Sequence, residues 1–425
     1  MVELEKMSEL NIQHFLRWCD ILEKHWPDVL DALRFDPYFL GVKQHPKYPE
    51  LYQFTYDMID SPKNDPLVKE CRGLILNSAD NWNVVAFPFT RFFNEGEFQA
   101  APIDWKTARV QEKVDGTLII MYYYDNKWQI ATRGSPDASG PVGDFPWMEK
   151  GQLVELTFNR LFWSSCEYWL QGLSKSGQFD TDYTYMWELT SPYNRIVCDY
   201  TETGVIGECV DGYGNHLFLD ECDDKTGYAH DGSRITLIGV RNNKTLQELN
   251  LDSYRNDVHY VVKEFPLTNL QEVIQAASKL NPIRQEGFCV VDSKFNRIKI
   301  KSPAYVSIHH LRDGNPRKRL MEIIQSGESD EMLSYKILDE FPSEKKMYLE
   351  MKEQVDNLIL QTENFYATIK DIAVQKDFAL QAIKCPMSGS MFALRSGKAS
   401  SIRQSILGMQ TDKLIDTIDR IENVT

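Results

Sequence analysis

No stretch of the 425-residue chain approaches 18 uncharged apolar residues, and the richest run, Thr117 to Tyr124, falls far short of a bilayer-spanning helix. The N-terminus, MVELEKMSEL, has neither the basic opening nor the apolar segment of a secretory signal. Cysteine is sparse: eight residues lie scattered without a C-x-x-C couple, so neither a zinc ribbon nor a disulfide framework is legible, and reduced thiols are expected. Positive charge is in deficit as well. Lysine and arginine number 47 against 62 aspartates and glutamates, a net charge of −15, which argues against coating duplex DNA by bulk electrostatics. Together these deficits predict a soluble, cytoplasmic protein with no membrane contact and no obligate protein partner evident.

What is present is an ordinary globular composition, 42% hydrophobic and 26% charged, with length for two or three domains at roughly 150 residues each. Phe15, Trp18, Cys19, Leu22 and Trp26 fall at helical spacing ending near Pro27. From Leu74 onward short β-rich segments recur at 74–77, 117–124, 128–133, 183–189, 235–240, 287–292 and 297–301. Turn tetrapeptides such as Tyr124–Lys127 and Ser293–Asn296 join several of them, the pattern of antiparallel hairpins. Residues 201–234, rich in Gly, Asp and Glu, read as an excursion on this domain. After about residue 310 the strand signal stops. Val355, Leu358, Thr362, Phe365, Ile369 and Ile372 form one apolar stripe, predicting a long helix between Pro342 and Pro386, and 401–421 is helical too. The expectation is an α+β fold: an antiparallel-sheet domain over 1–310 followed by an all-helical domain over 311–425.

The most informative stretch is Glu112-Lys113-Val114-Asp115-Gly116-Thr117-Leu118, at the entrance to a hydrophobic strand. For Lys113 to act as a nucleophile it must shed a proton that an ordinary lysine, with pKa about 10.4, keeps at neutral pH. Neighbouring cations, a bound metal and desolvation all favour the neutral amine, so such a lysine belongs in a basic, metal-binding cleft. Candidates for that cleft exist. Eight basic residues stand between Lys294 and Leu320 against one acid, Asp313. In Arg297-Ile298-Lys299-Ile300-Lys301 the period of a strand sets Lys299 and Lys301 on one face, about 6 to 7 Å apart, where an anion such as a phosphate chain would relieve their repulsion. Glu188, within an aromatic strand, and Glu286, just before an apolar one, need cationic, hydroxyl or metal partners if buried. Arg72 and Arg91 add cations, the latter followed by Phe92 and Phe93, on which a base could stack.

The ordered set ECRG (70–73), RFFN (91–94), EKVDGTL (112–118), WELTSPYNRIV (187–197), ITLIGV (235–240), EGFCVVD (286–292) and KIK (299–301) resembles the motif series of the covalent nucleotidyltransferases. Within that superfamily the chain is most similar to the bacteriophage RNA ligase 1 family, from about residue 50 to 335 and more weakly into the tail. The resemblance implies an ATP-grasp-like adenylyltransferase domain followed by a helical RNA-specificity domain. It also implies ATP and Mg2+, with Mn2+ able to substitute, and RNA bearing 5'-phosphate and 3'-hydroxyl ends, such as a cleaved tRNA. In that reading Lys113 takes AMP from ATP, passes it to the RNA 5'-phosphate, and a 3'-hydroxyl then displaces AMP. Lys299 and Lys301 match lysines on the ATP phosphates, Arg72 an arginine serving the nucleotide, Glu188 an acid near the ribose, and Tyr56 a tyrosine contacting ATP. Arg91, Phe93, Glu112, Gly116 and Arg133 complete the expected nucleotide site, with Gly116 allowing close backbone approach. Glu286 and Asp115 are expected as outer-sphere partners of magnesium, Asp330 as a metal-binding aspartate, and Tyr305 as an activity-linked tyrosine. Arg91 and Arg133 stand where the family leads us to expect lysine, a change that keeps the charge but not the geometry.

DNA ligases and capping enzymes typically read K-x-D-G-x-R and continue into a β-rich domain, whereas here Leu118 takes the arginine's place and helices follow. NAD-dependent ligases are disfavoured by the missing four-cysteine site. A kinase activity is disfavoured because Ser396-Gly397-Lys398-Ala399-Ser400 lacks the upstream glycine and the hydroxyl after the lysine of a P-loop. A non-catalytic RNA-end binder would have no use for Lys113.

Overall fold

The structure, a computed structural model, describes residues 9–149, 152–175, 179–200, 232–255, 261–312, 316–326 and 342–422. The chain divides into two compact units, Met1–Tyr305 and Val306–Thr425.

In the first unit the strands are, in chain order, β1 (Leu40–Gln44), β2 (Leu51–Tyr56), β3 (Arg72–Asn77), β4 (Asn83–Ala86), β5 (Phe93–Asn94), β6 (Arg109–Lys113), β7 (Thr117–Tyr124), β8 (Lys127–Thr132), β9 (Pro141–Glu149), β10 (Gln152–Thr157), β11 (Tyr183–Thr190), β12 (Arg234–Asn242), β13 (Glu248–Leu249), β14 (Glu264–Phe265), β15 (Gly287–Val291) and β16 (Arg297–Lys301). A four-stranded antiparallel sheet runs β1-β2-β3-β4; two five-stranded sheets run β13-β12-β11-β7-β8 and β14-β6-β15-β16-β5; β9 and β10 pair separately. Helices Asn11–Ile21 and Trp26–Arg34 cover the first sheet, packing Ile12, Leu16, Val29 and Leu33 on Phe54, Leu74 and Leu76. Pro27 therefore opens a helix instead of ending one, since its fixed φ suits the first turn, where its missing N–H costs nothing.

The continuous apolar run that marks β7 in sequence is buried on both faces. Ile119 and Met121 pack with Trp187, Leu237 and Phe162, while Leu118, Ile120 and Tyr122 face Ile75, Phe89 and Met186. In the other five-stranded sheet Val110, Phe288, Val290, Ile298 and Ile300 bury against Val273 and Ala277 of helix Leu270–Ser278. The period of two then sends Gln111, Lys113, Cys289, Lys299 and Lys301 to its opposite face. Strand β9 and helix Phe158–Lys175 have no counterpart in the sequence expectation; Gly143 and Pro146 interrupt the alternation of β9. The excursion at 201–234 lies outside the described residues up to 231.

The described residues of the second unit carry helices and no strand. Leu320, Met351, Val355, Phe378, Met391, Ile406 and Leu414 form its core. The long helix spans Pro342–Ile369 and stops short of Pro386, with Gln375–Ala382 and Ser388–Arg395 as separate helices. Arg395 donates to the carbonyl of Ile372 at 2.7 Å and of Ala373 at 3.3 Å. That long-range contact steadies the turn and leaves no trace in local periodicity. No helix among the described residues is long and apolar enough to cross a membrane.

Candidate active site

Lys113 closes β6, and Val114-Asp115-Gly116 carries the chain to β7 in the other five-stranded sheet. The stretch that reads as the entrance to one strand is thus the crossing between two sheets. The crossing is clamped from several sides. Asp115 accepts the backbone N–H of Val197 at 2.9 Å and of Cys198 at 2.8 Å on Oδ2, and the Tyr305 hydroxyl at 2.5 Å on Oδ1. Its own N–H donates to the Tyr200 hydroxyl at 2.8 Å. A Cβ on Gly116 would sit 2.3 Å from the Leu189 carbonyl oxygen, so only glycine lets the turn close on β11.

A cavity of about 480 Å³ opens between the two five-stranded sheets, and Arg72, Lys113, Arg133, Lys299 and Lys301 all line it. Strand register explains the clustering. Gly287 pairs with both Lys113 and Lys301, while Cys289 pairs with both Gln111 and Lys299. A Cβ on Gly287 would meet the Ile300 carbonyl oxygen at 2.3 Å, so the two lysines flank a position without a side chain. Beneath them Glu286, only 2% exposed, accepts from Lys113 Nζ at 2.5 Å on Oε2 and from Lys301 Nζ at 2.9 Å on Oε1. The Phe92 ring forms another wall, with the Arg72 guanidinium 5.2 Å and the Lys299 ammonium 4.8 Å from its centroid. Arg72 Nη1 is buried without a hydrogen-bond partner, a donor left over for an anion.

Charge and burial set the protonation states. Burial and the neighbouring Arg72 and Lys113 push the Lys299 ammonium down to about 8. Burial pushes Glu188, facing the cavity from β11, up to about 7 against the pull of Lys113 and Arg72. Glu286 is held below the usual carboxylate range, because Lys113 and Lys301 outweigh its burial. Lys113 departs from the expectation of a readily deprotonated amine: burial works to lower its pKa, but Glu286, with Cys289 and Glu188 beside it, raises it above the ordinary lysine value.

Of the residues singled out by sequence, Arg72, Glu112, Lys113, Gly116, Arg133, Glu188, Lys299 and Lys301 line this one cavity, with the Glu286 carboxylate on two of its lysines. Tyr56, Arg91 and Phe93 form an adjoining stack instead: the Arg91 guanidinium lies 4.3 Å from the Tyr56 ring and 5.6 Å from Phe93, and Arg133 lies 5.6 Å from Tyr56. Phe92, rather than Phe93, faces the lysines. Period-two alternation along RFFN could have found it, since residues 91 and 93 share one side of an extended segment and 92 takes the other. Cys289 and Gln111, also lining the cavity, were legible only through pairing register. Asp330 lies outside the described residues. Among the described residues no three His, Cys, Asp or Glu side chains converge to hold a metal ion. Asp115 and Glu286, expected as outer-sphere partners of magnesium, give their oxygens to protein donors.

A family model described as RNA ligase matches residues 70–207, which span Arg72, Lys113 and Glu188. An RNA ligase of Rhodothermus phage RM378 is 25% identical over 423 residues, covering 86% of this chain and 89% of that protein. A protein of Autographa californica nuclear polyhedrosis virus, to which both polynucleotide kinase and RNA ligase roles are ascribed, is 28% identical over 324 residues, covering 70% of this chain and 39% of that one. A solved archaeal ATP-dependent RNA ligase superposes with a TM-score of 0.41 at 13% identity, over 81% of this chain and 82% of its own. Over most of its length the chain is thus similar to a phage RNA ligase, and the segment around Lys113 matches the RNA ligase model.

Proposed function

We propose that this RNA ligase works with ATP through a lysyl-AMP on Lys113 and joins RNA 5'-phosphate and 3'-hydroxyl ends, in an adenylyltransferase domain over 1–310. The observation that carries the reading is the cavity wall, where Arg72, Lys113, Arg133, Lys299 and Lys301 crowd together with a buried guanidinium nitrogen unpartnered. Glu286 answers only part of that charge, and the phosphates of a nucleoside triphosphate would supply the rest.

All three steps are displacements at phosphorus, in which positioning and charge stabilisation carry most of the catalysis. Lys113 Nζ forms a bond to the α-phosphorus while the bond to the pyrophosphate oxygen breaks. Lys113 first gives one proton to Glu286 along their 2.5 Å contact to become the free amine, and its nitrogen loses a second proton to the departing pyrophosphate as the P–N bond forms. Lys299, Lys301 and Arg72 hold the non-bridging and leaving oxygens, and Glu188 and Glu112 serve the nucleoside side. An oxygen of the RNA 5'-phosphate next displaces Nζ, the P–N bond breaking as Lys113 recovers a proton. Finally the 3'-hydroxyl oxygen attacks that RNA phosphate and AMP departs, the hydroxyl proton passing to solvent. Magnesium, arriving with the nucleotide and keeping its waters, supplies neutralising charge on the phosphates when bound.

We assign recognition of the RNA, a cleaved tRNA being the reading taken from the family resemblance, to the helical domain over 311–425. The test is sealing of a 5'-phosphorylated oligoribonucleotide with ATP, beside the matching DNA. Joining of RNA supports the reading; exclusive joining of DNA overturns it. Deleting 311–425 is expected to spare AMP transfer to the protein and impair sealing of structured RNA, and unchanged sealing of both structured and simple RNA would refute the assignment.

A further inference from the structure

Behind the Phe92 wall lies a second, larger cavity of about 600 Å³, within the usual range of ligand pockets. Phe92 and Arg297 line both cavities, so the two adjoin. The second is basic: Lys69, Arg91, Lys294, Arg241 and Arg297 line it against a single acid, Glu248, in a chain of net charge −15. Glu248 is already committed, to Arg297 at 2.5 Å and to Arg241 at 3.3 Å. That leaves Lys69, Arg91 and Lys294 as surplus charge. Arg91 is 9% exposed, and its Nη1 is buried with no hydrogen-bond partner. Its backbone N–H donates to the Lys69 carbonyl at 2.8 Å, which keeps the two cations together. Lys294 stands on the turn between β15 and β16, where Asp292 Oδ1 accepts the N–H of Lys294 at 2.9 Å and of Asn296 at 3.0 Å, so the turn is preset.

We propose that this second cavity binds the phosphate-bearing 5'-terminal nucleotide of the RNA strand that receives AMP, an inference that rests on the ligase reading above. Pyrophosphate leaving the first cavity shares the phosphate chemistry, but a bare anion has no use for the rest of the lining. Phe93 and Phe295 present rings there, and Gln99, Gln247 and Asn296 present amides, the groups that stack on a base and bond its edge. Phe98, beside Gln99 in sequence, is 94% exposed and offers a further face for the next base. Arg91, placed by the family resemblance in the nucleotide site, belongs on this account to the RNA phosphate.

The test uses the full chain carrying Lys113→Ala, which cannot react, and compares fluorescence-anisotropy binding of one oligoribonucleotide with a 5'-phosphate and with a 5'-hydroxyl. The phosphorylated strand is expected to bind about tenfold more tightly, the scale of one good charged contact, and added Lys69→Ala and Lys294→Ala should erase that difference. Equal binding of the two strands, or a preference that survives both added substitutions, overturns the proposal. In the otherwise unsubstituted protein, Lys69→Ala and Lys294→Ala should form the AMP adduct normally while raising the KM for 5'-phosphorylated RNA about tenfold. If they instead slow reversal of the adduct by pyrophosphate and leave the KM for RNA unchanged, the cavity is a pyrophosphate exit and the proposal fails. Absence of any adduct in the unsubstituted protein would count against the ligase reading alone, because the anisotropy comparison does not depend on it.

Discussion

Glu188 faces the cavity around Lys113 at a cost in stability. Burial pushes its carboxyl from an ordinary 4.5 up to about 7, even with Lys113 and Arg72 pulling the other way. At about 1.36 kcal/mol per pH unit, the ionised carboxylate costs about 3 kcal/mol at pH 8 relative to a neutral group in the same place. Because the folded pKa of this acid is raised, its contribution is most favourable below pH 4.5 and is lost as pH rises from there to about 7. Glu188→Gln keeps the shape and removes the charge. At pH 8 the variant should be more stable by up to about 3 kcal/mol, or about 5 °C in Tm for a unit of this size. At pH 5 the gain should shrink below about 1 kcal/mol. Thermal unfolding of both proteins at the two pH values reads this directly, while AMP transfer to the variant should fall sharply. Equal or lower stability of the variant at pH 8, or a gain that does not depend on pH, would refute the reasoning.

Other expectations follow from the clamp around Asp115. Gly116→Ala sets a Cβ 2.3 Å from the Leu189 carbonyl oxygen, so AMP-adduct formation should drop at least tenfold, checked by intact-protein mass at fixed times, with a lowered Tm. Tyr305→Phe removes the hydroxyl that donates to Asp115 at 2.5 Å and leaves a buried carboxylate oxygen short of a partner. Denaturant unfolding should register a loss of about 1 to 3 kcal/mol, whereas a neutral result would mean that Asp115 does not depend on this contact. Glu286→Gln withdraws the charge that holds Lys113 protonated, so the rising limb of adenylylation against pH should move to lower pH even as the maximum rate falls.

Much of the framework was legible because its signals are local. The β-rich runs 117–124 and 183–189 announced β7 and β11, and the alternation in 297–301 announced β16 and placed Lys299 and Lys301 together on the face opposite Ile298 and Ile300. What stayed hidden depends on pairing between distant segments. Lys113 meets Glu286 across 173 positions, and that contact reverses the expectation for the lysine's charge. The division of Arg91 and Phe93 from Phe92 follows from the parallel pairing of β5 with β16, a two-residue strand too short for any periodicity to report. The turn that follows the long helix is likewise held by Arg395, a residue from another helix, through the Ile372 carbonyl.

The most direct test of the central claim, that Lys113 carries AMP, is intact-protein mass after incubation with ATP and magnesium, run beside GTP, NAD and Lys113→Ala. The account predicts gain of one AMP from ATP alone, reversed by pyrophosphate and absent from the variant. A folded, initially AMP-free protein that gains nothing, or an adduct that persists in Lys113→Ala, would contradict it.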